Sequence, residues 1–102
     1  MYPTDEQLEV IKKWNISDLH GLMAYIREIW EFADWGWKQE GGTYYISTGG
    51  WSGNEDIIEA MQSNHMWWFM FWEQSKRGGH YIFETIGDSL KRRDLGISTE
   101  NK

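Results

Sequence analysis

Ser52, Ser47 and His80 are the residues from which this chain could assemble a nucleophile and its base. A serine hydroxyl becomes reactive only when a base takes its proton and a third group orients that base. Gly50-Trp51-Ser52-Gly53-Asn54 comes near a nucleophile elbow but lacks the closing glycine. His20, His65 and His80 stand far apart, with no His-x-x-x-His pair. The chain has no cysteine, which excludes disulfides, thiolate metal sites and cysteine nucleophiles. No catalytic residue, metal ligand or cofactor is expected, and the chain reads as a non-enzyme.

Two stretches remain as binding candidates. Thr48-Gly49-Gly50-Trp51-Ser52-Gly53-Asn54-Glu55 packs three glycines into five positions ahead of a helix. Such spacing implies backbone angles open to glycine, or close approach by another group. A helix start attracts anions. Glu55 and Asp56 already put negative charge there, however, and the Gly-Lys-Ser/Thr ending of a phosphate loop is missing. Trp51, Ser52 and Asn54 then read either as ligand or partner contacts, or as a tight turn with Trp51 packed down and Asn54 capping the helix. The second stretch is Lys76-Arg77-Gly78-Gly79-His80. If the flanking strands pair antiparallel, His80 falls near Thr48, and Arg77 and His80 join Trp51 and Ser52 around an anion. The plainer reading is a helix C-cap and a surface histidine. Glu28, Glu31 and Asp34 fall at helical spacing, which suits a solvated face or a charge-mimicking one.

These residues need elements to carry them. Thr4-Asp5-Glu6-Gln7 is a capping box opening a helix over 4–14. Ser17 or Asp18 caps a second, over 17–31, whose Leu19, Leu22, Met23, Ile26, Ile29 and Trp30 recur every three or four residues. The pattern then dissolves into Phe32-Ala33-Asp34-Trp35-Gly36-Trp37, and Gly41-Gly42 marks a turn. Thr43 to Thr48 reads as a strand, as does His80 to Glu84. Between them a long helix is expected over 54–77, kinked near Ser63 and ended by Lys76-Arg77-Gly78. Its run Met66 to Trp72 is apolar all round, which calls for burial at the centre or a homodimer interface. A weaker helix follows over 85–93. The expected whole is a small single α+β domain spanning 1–94, three to four helices on a short antiparallel sheet, with a polar tail at 95–102.

Composition narrows the partners. The chain has 102 residues, 8 of them Trp, 5 Tyr and 4 Phe, and a net charge of −6. That charge argues against direct nucleic-acid binding and favours basic partners. Trp and Tyr dominate interface hot spots, and a domain this small cannot readily hide eight indoles. The N-terminus lacks a signal-peptide pattern and no apolar run is long enough for a membrane, so a cytoplasmic location is expected.

The segments TGGWSGNE at 48–55 and RGGHYIF at 77–83, with their flanks, resemble small uncharacterised proteins encoded by bacteriophages and prophages. The resemblance covers about the middle 40 residues. It carries over no activity. It implies an interaction protein that binds and inhibits host or defence machinery in the host cytoplasm. The alternative is a small-ligand binder taking an anionic metabolite or nucleotide at the Gly-rich loop. A partner binder should show an exposed aromatic patch, and a ligand binder a concave site with Arg77 and His80 turned inward.

Overall fold

The computed structural model describes Tyr2 to Lys91. It is α+β: helices packed on one four-stranded antiparallel sheet of order β1-β2-β4-β3. The tail at 95–102 and the end of the helix expected over 85–93 lie outside the described residues, of which 86–91 are helical.

Helix α1 spans Asp5–Lys12 and opens on the expected box. Thr4 Oγ1 accepts the Gln7 amide at 3.1 Å, and Gln7 Oε1 accepts the Thr4 amide at 2.8 Å. Helix α2 spans Leu19–Ile29, with Asp18 as its cap. The Asp18 carboxylate accepts the Gly21 amide at 2.9 Å and the Trp14 indole N–H at 3.0 Å. Its carbonyl accepts the Trp67 indole N–H at 3.0 Å. Leu19, Leu22, Met23 and Ile26 form the buried stripe that their spacing required.

The aromatic segment after α2 is more ordered than a turn. It forms a short helix, α3, at Ala33–Gly36 and runs into strand β1, Trp37–Glu40. Strand β2, Thr43–Ser47, pairs back on β1 through the two-residue Gly41-Gly42 turn, with Glu40 opposite Thr43. A two-residue glycine turn is a hairpin signal. It passes unnoticed here because Lys38-Gln39-Glu40 has no β-branched residue to announce a strand.

The long helix expected over 54–77 is three elements instead. Helix α4 spans Ser52–Ser63, helix α5 His65–Phe71, and strand β3 Trp72–Lys76. The break falls at Asn64, whose buried side chain donates to the Ile11 and Trp14 carbonyls at 3.2 and 3.0 Å. Ile11 lies in the last turn of α1 and Trp14 just beyond it, where carbonyls lack the i+4 amides of a continuing helix. The basic residues ahead of Gly78-Gly79 close a hairpin rather than a helix. Both glycines have positive φ, 90° and 78°, and lead into strand β4, His80–Phe83. Lys76 stands opposite His80 and Trp72 opposite Phe83, with a bulge between Trp72 and Gln74.

The core joins Ile11, Leu22, Met23, Ile26, Ile57 and Met61 of the helices to Ile46 and Phe83 of the sheet, with Trp67 wholly buried between. The apolar run 66–72 is therefore not a fully sunken helix. Trp67 and Phe71 face inward, while Met66, Phe69, Met70 and Trp72 stay exposed, Phe69 by 80%. Seven residues make only two turns, and the sheet covers one side of them. Among the described residues no helix is long and apolar enough to cross a membrane.

The Asp18 cap has a pH signature. The hydrogen bond from the Gly21 amide, then that from Trp14, holds its carboxyl below the usual 3.8. A depressed carboxyl contributes stability that is full above the ordinary value and is lost as pH falls through the lowered one. Asp18→Asn keeps an acceptor at the cap but removes the titration. The acid arm of stability should therefore flatten in Asp18→Asn. Urea midpoints followed from about pH 7 to about pH 2 check this, and an equally steep fall in both proteins would contradict it.

Candidate functional site

Asn54 organises one end of the molecule. It lies in the first turn of α4 and is 1% exposed. Its side-chain amide pairs with the Glu31 peptide group as a strand would. Asn54 Oδ1 accepts the Glu31 N–H at 2.9 Å, and Nδ2 donates to the Glu31 carbonyl at 2.9 Å. The second Nδ2 proton reaches the Thr48 carbonyl at 3.2 Å. The end of α2 thus meets the β2–α4 loop and the first turn of α4 on one side chain, 23 residues away in sequence. The Trp30 indole N–H adds a tie to the Ser47 carbonyl at 3.2 Å.

The residue after the pinned Glu31 has an unusual conformation. Phe32 has φ of 62°, the one positive value among the described non-glycine residues. The left-handed region costs an L-residue roughly 1–2 kcal/mol. It turns the chain so that the Phe32 carbonyl accepts the Trp35 and Gly36 amides and starts α3. Opposite it, Gly49 and Gly50 also have positive φ, 64° and 74°, in a turn closed by the Trp51 amide on the Thr48 carbonyl at 3.1 Å. A Cβ on Gly49 would stand 2.7 Å from the Trp35 indole, so only glycine lets that ring lie on the loop.

The result is a ridge of four aromatic rings. Tyr2 stacks on Trp51 with centroids 4.9 Å apart. Trp51 meets Phe32 edge-on at 6.5 Å, and Phe32 stacks on Trp35 at 6.0 Å. Phe32 is 50% exposed and Trp35 64%. The Trp51 indole N–H is buried without a partner among the described residues, and the Tyr2 hydroxyl bonds Ser52 Oγ at 2.8 Å. Beside Tyr2 a cleft of about 290 Å³ opens between the N-terminal segment and the end of α2, with Glu28 and Glu31 in its wall.

The five sequence candidates divide accordingly. Trp51 and Ser52 belong to the ridge. Asn54 is sealed beneath it, with both ends of its amide occupied, and Trp51 rather than Asn54 takes the cap position of α4. Arg77 and His80 sit on the β3–β4 hairpin. The antiparallel pairing does set His80 beside the end of β2, but opposite Ser47. Ser47 Oγ and His80 Nδ1 are 2.5 Å apart, while the Ser52 hydroxyl pairs with Tyr2. Arg77 is exposed and makes no ion pair among the described residues.

Ser47 and His80 have the spacing of a nucleophile and base. No carboxylate among the described residues orients the ring, so the pair lacks the third member that the chemistry uses. Among the described residues no three His, Asp or Glu side chains gather to hold a metal. Sequence reasoning missed Tyr2, Phe32 and Trp35. The signal was present in the aromatic run 32–37, where the amphipathic pattern stops without a polar loop replacing it.

Asn54→Leu keeps the heavy-atom count and branching of the side chain and strips partners from the Glu31 and Thr48 backbone groups. It should lower unfolding free energy by about 1–3 kcal/mol in a urea titration. A loss within the noise of the measurement would show that water or neighbouring groups replace the amide.

No family model, curated protein or solved structure matches this chain.

Proposed function

We propose that this chain is a non-enzymatic interaction protein of bacteriophage type that docks on a host or defence protein through the Tyr2–Trp51–Phe32–Trp35 ridge and inhibits it. The observation that carries the reading is Phe32. A residue half exposed to water is held in a left-handed conformation that glycine would adopt at lower cost. Strain kept at an exposed aromatic side chain suits display to a partner better than it suits folding. Large rigid aromatics are also the side chains from which docking hot spots are made. The phage character rests on the resemblance of residues 48–55 and 77–83 alone.

Capture of an anionic metabolite or nucleotide has less behind it. That site would need Arg77 and His80 facing Ser52 and Asn54 across a concavity. His80 instead faces Ser47, and Asn54 is fully engaged in the core.

Phe32→Gly separates display from stability. Relief of the left-handed strain offsets the lost packing, so the unfolding free energy from a urea titration should change by less than about 1 kcal/mol. Capture of a bacterial partner by the tagged protein should be lost all the same. Trp35→Ala should weaken the same capture by at least about 2 kcal/mol, some 30-fold in Kd. Capture undiminished in both variants, or none by the wild type across candidate host lysates, would overturn the reading.

A further inference from the structure

The exposed apolar surface gathers at a second place. Met66, Phe69 and Met70 of α5, Trp72 of β3, and Ile86 and Leu90 of the helical residues 86–91 are exposed by 38% to 80%. All but Met66 line one groove of about 280 Å³ between α5, the start of β3 and 86–91. Met66 lies one turn back from Phe69 and Met70, on the same face of α5. None of the six belongs to the aromatic ridge. At ~200 Å² for a large apolar side chain, their exposed fractions come to roughly 650 Å². The largest apolar patch on an ordinary monomer covers about 300–600 Å².

We infer that this groove is the interface of a homodimer, in which each copy sets its Phe69 into the groove of the other. The inference is independent of docking through the ridge. A two-fold contact uses the same patch on both copies, so one event hides both. A standard interface buries about 800 Å² per partner, and the six side chains come close to it alone. Phe69 is the most exposed large apolar residue among those described, and it stands on the wall of the groove. A projecting ring beside a groove makes the surface complementary to itself, which a foreign partner does not require. Other occupants fit less well. The groove is smaller than the about 300–1,000 Å³ of small-molecule pockets. The two carboxylates in its wall are engaged within the chain: the Ser89 hydroxyl donates to Glu73 at 3.1 Å, and the Thr43 hydroxyl to Glu84 at 2.7 Å. Strand addition at β3 is opposed by the bulge between Trp72 and Gln74, which twists that edge away from a further strand. Each copy carries a net charge of −6, so the copies repel and salt screens the repulsion.

Sedimentation equilibrium of the full chain from about 1 to about 500 μM tests this. It should give a monomer–dimer equilibrium with a micromolar Kd that tightens as NaCl rises from about 0.05 to about 0.5 M. Phe69→Asp should weaken the dimer at least about tenfold, and Ile86→Asp should do the same from the other wall of the groove. Trp35→Ala should leave it unchanged. Isotope-filtered NOEs in the wild-type dimer should join the Phe69 ring of one copy to the Ile86 and Leu90 methyls of the other, a result that does not depend on how the variants fold. A chain still monomeric at about 500 μM, a dimer whose contacts lie elsewhere, or one that weakens with salt would overturn the inference. If the chain is monomeric and a folded Phe69→Asp loses capture of a bacterial partner, the groove serves that partner and the homodimer falls.

Discussion

The side-chain amide of Asn54 fixes the end of the molecule on which the aromatic ridge stands. Its hydrogen bonds bind the first turn of α4 to the Glu31 peptide and to the end of β2 at Thr48. In a dry interior an amide left unpaired is costly, and so is a stripped backbone group, so each of the three segments is held by the penalty for leaving. Phe32 follows Glu31 directly, and Trp51 follows the Thr48 turn. Fixing Glu31 and Thr48 thus fixes both halves of the ridge, although some twenty residues separate them.

A second buried asparagine does related work at the far end. Asn64 closes the last turn of α1 by bonding to Ile11 and Trp14, and in doing so interrupts the helix expected to continue through 54–77. The interruption lets α5 turn Trp67 into the core and hand the chain to β3 as the outer strand of the sheet. Two polar side chains thereby decide where an otherwise apolar assembly bends. Apolar packing tolerates many arrangements, whereas a buried amide tolerates only those that pair it.

Local chemistry was readable from the chain, and tertiary chemistry was not. The Thr4–Gln7 box, the Asp18 cap and the stripe of α2 follow from neighbours within four residues. The pairing of β2 with β4, and His80 at the end of β2, followed from two β-rich runs bounded by glycine. Strands β1 and β3 were hidden because Lys38-Gln39-Glu40 and Glu73-Gln74-Ser75 lack strand-forming side chains. They owe their state to the strands beside them. Trp51 and Ser52 were found through the glycines around them. Phe32 and Trp35 were not, because the aromatic run 32–37 signals only that the amphipathic pattern stops, and the left-handed φ that turns the chain at Phe32 is a feature of the folded backbone.

The ridge acts as a surface only if it is already formed before any partner arrives. Backbone ¹⁵N relaxation of residues 31–36 and 48–52 in the free protein, with that of the Trp35 indole, measures this directly. Order parameters near 0.85, equal to those of α2 and α4, are expected for a ridge held by Asn54. Values below about 0.6 would make these residues a mobile loop and contradict a preformed docking surface.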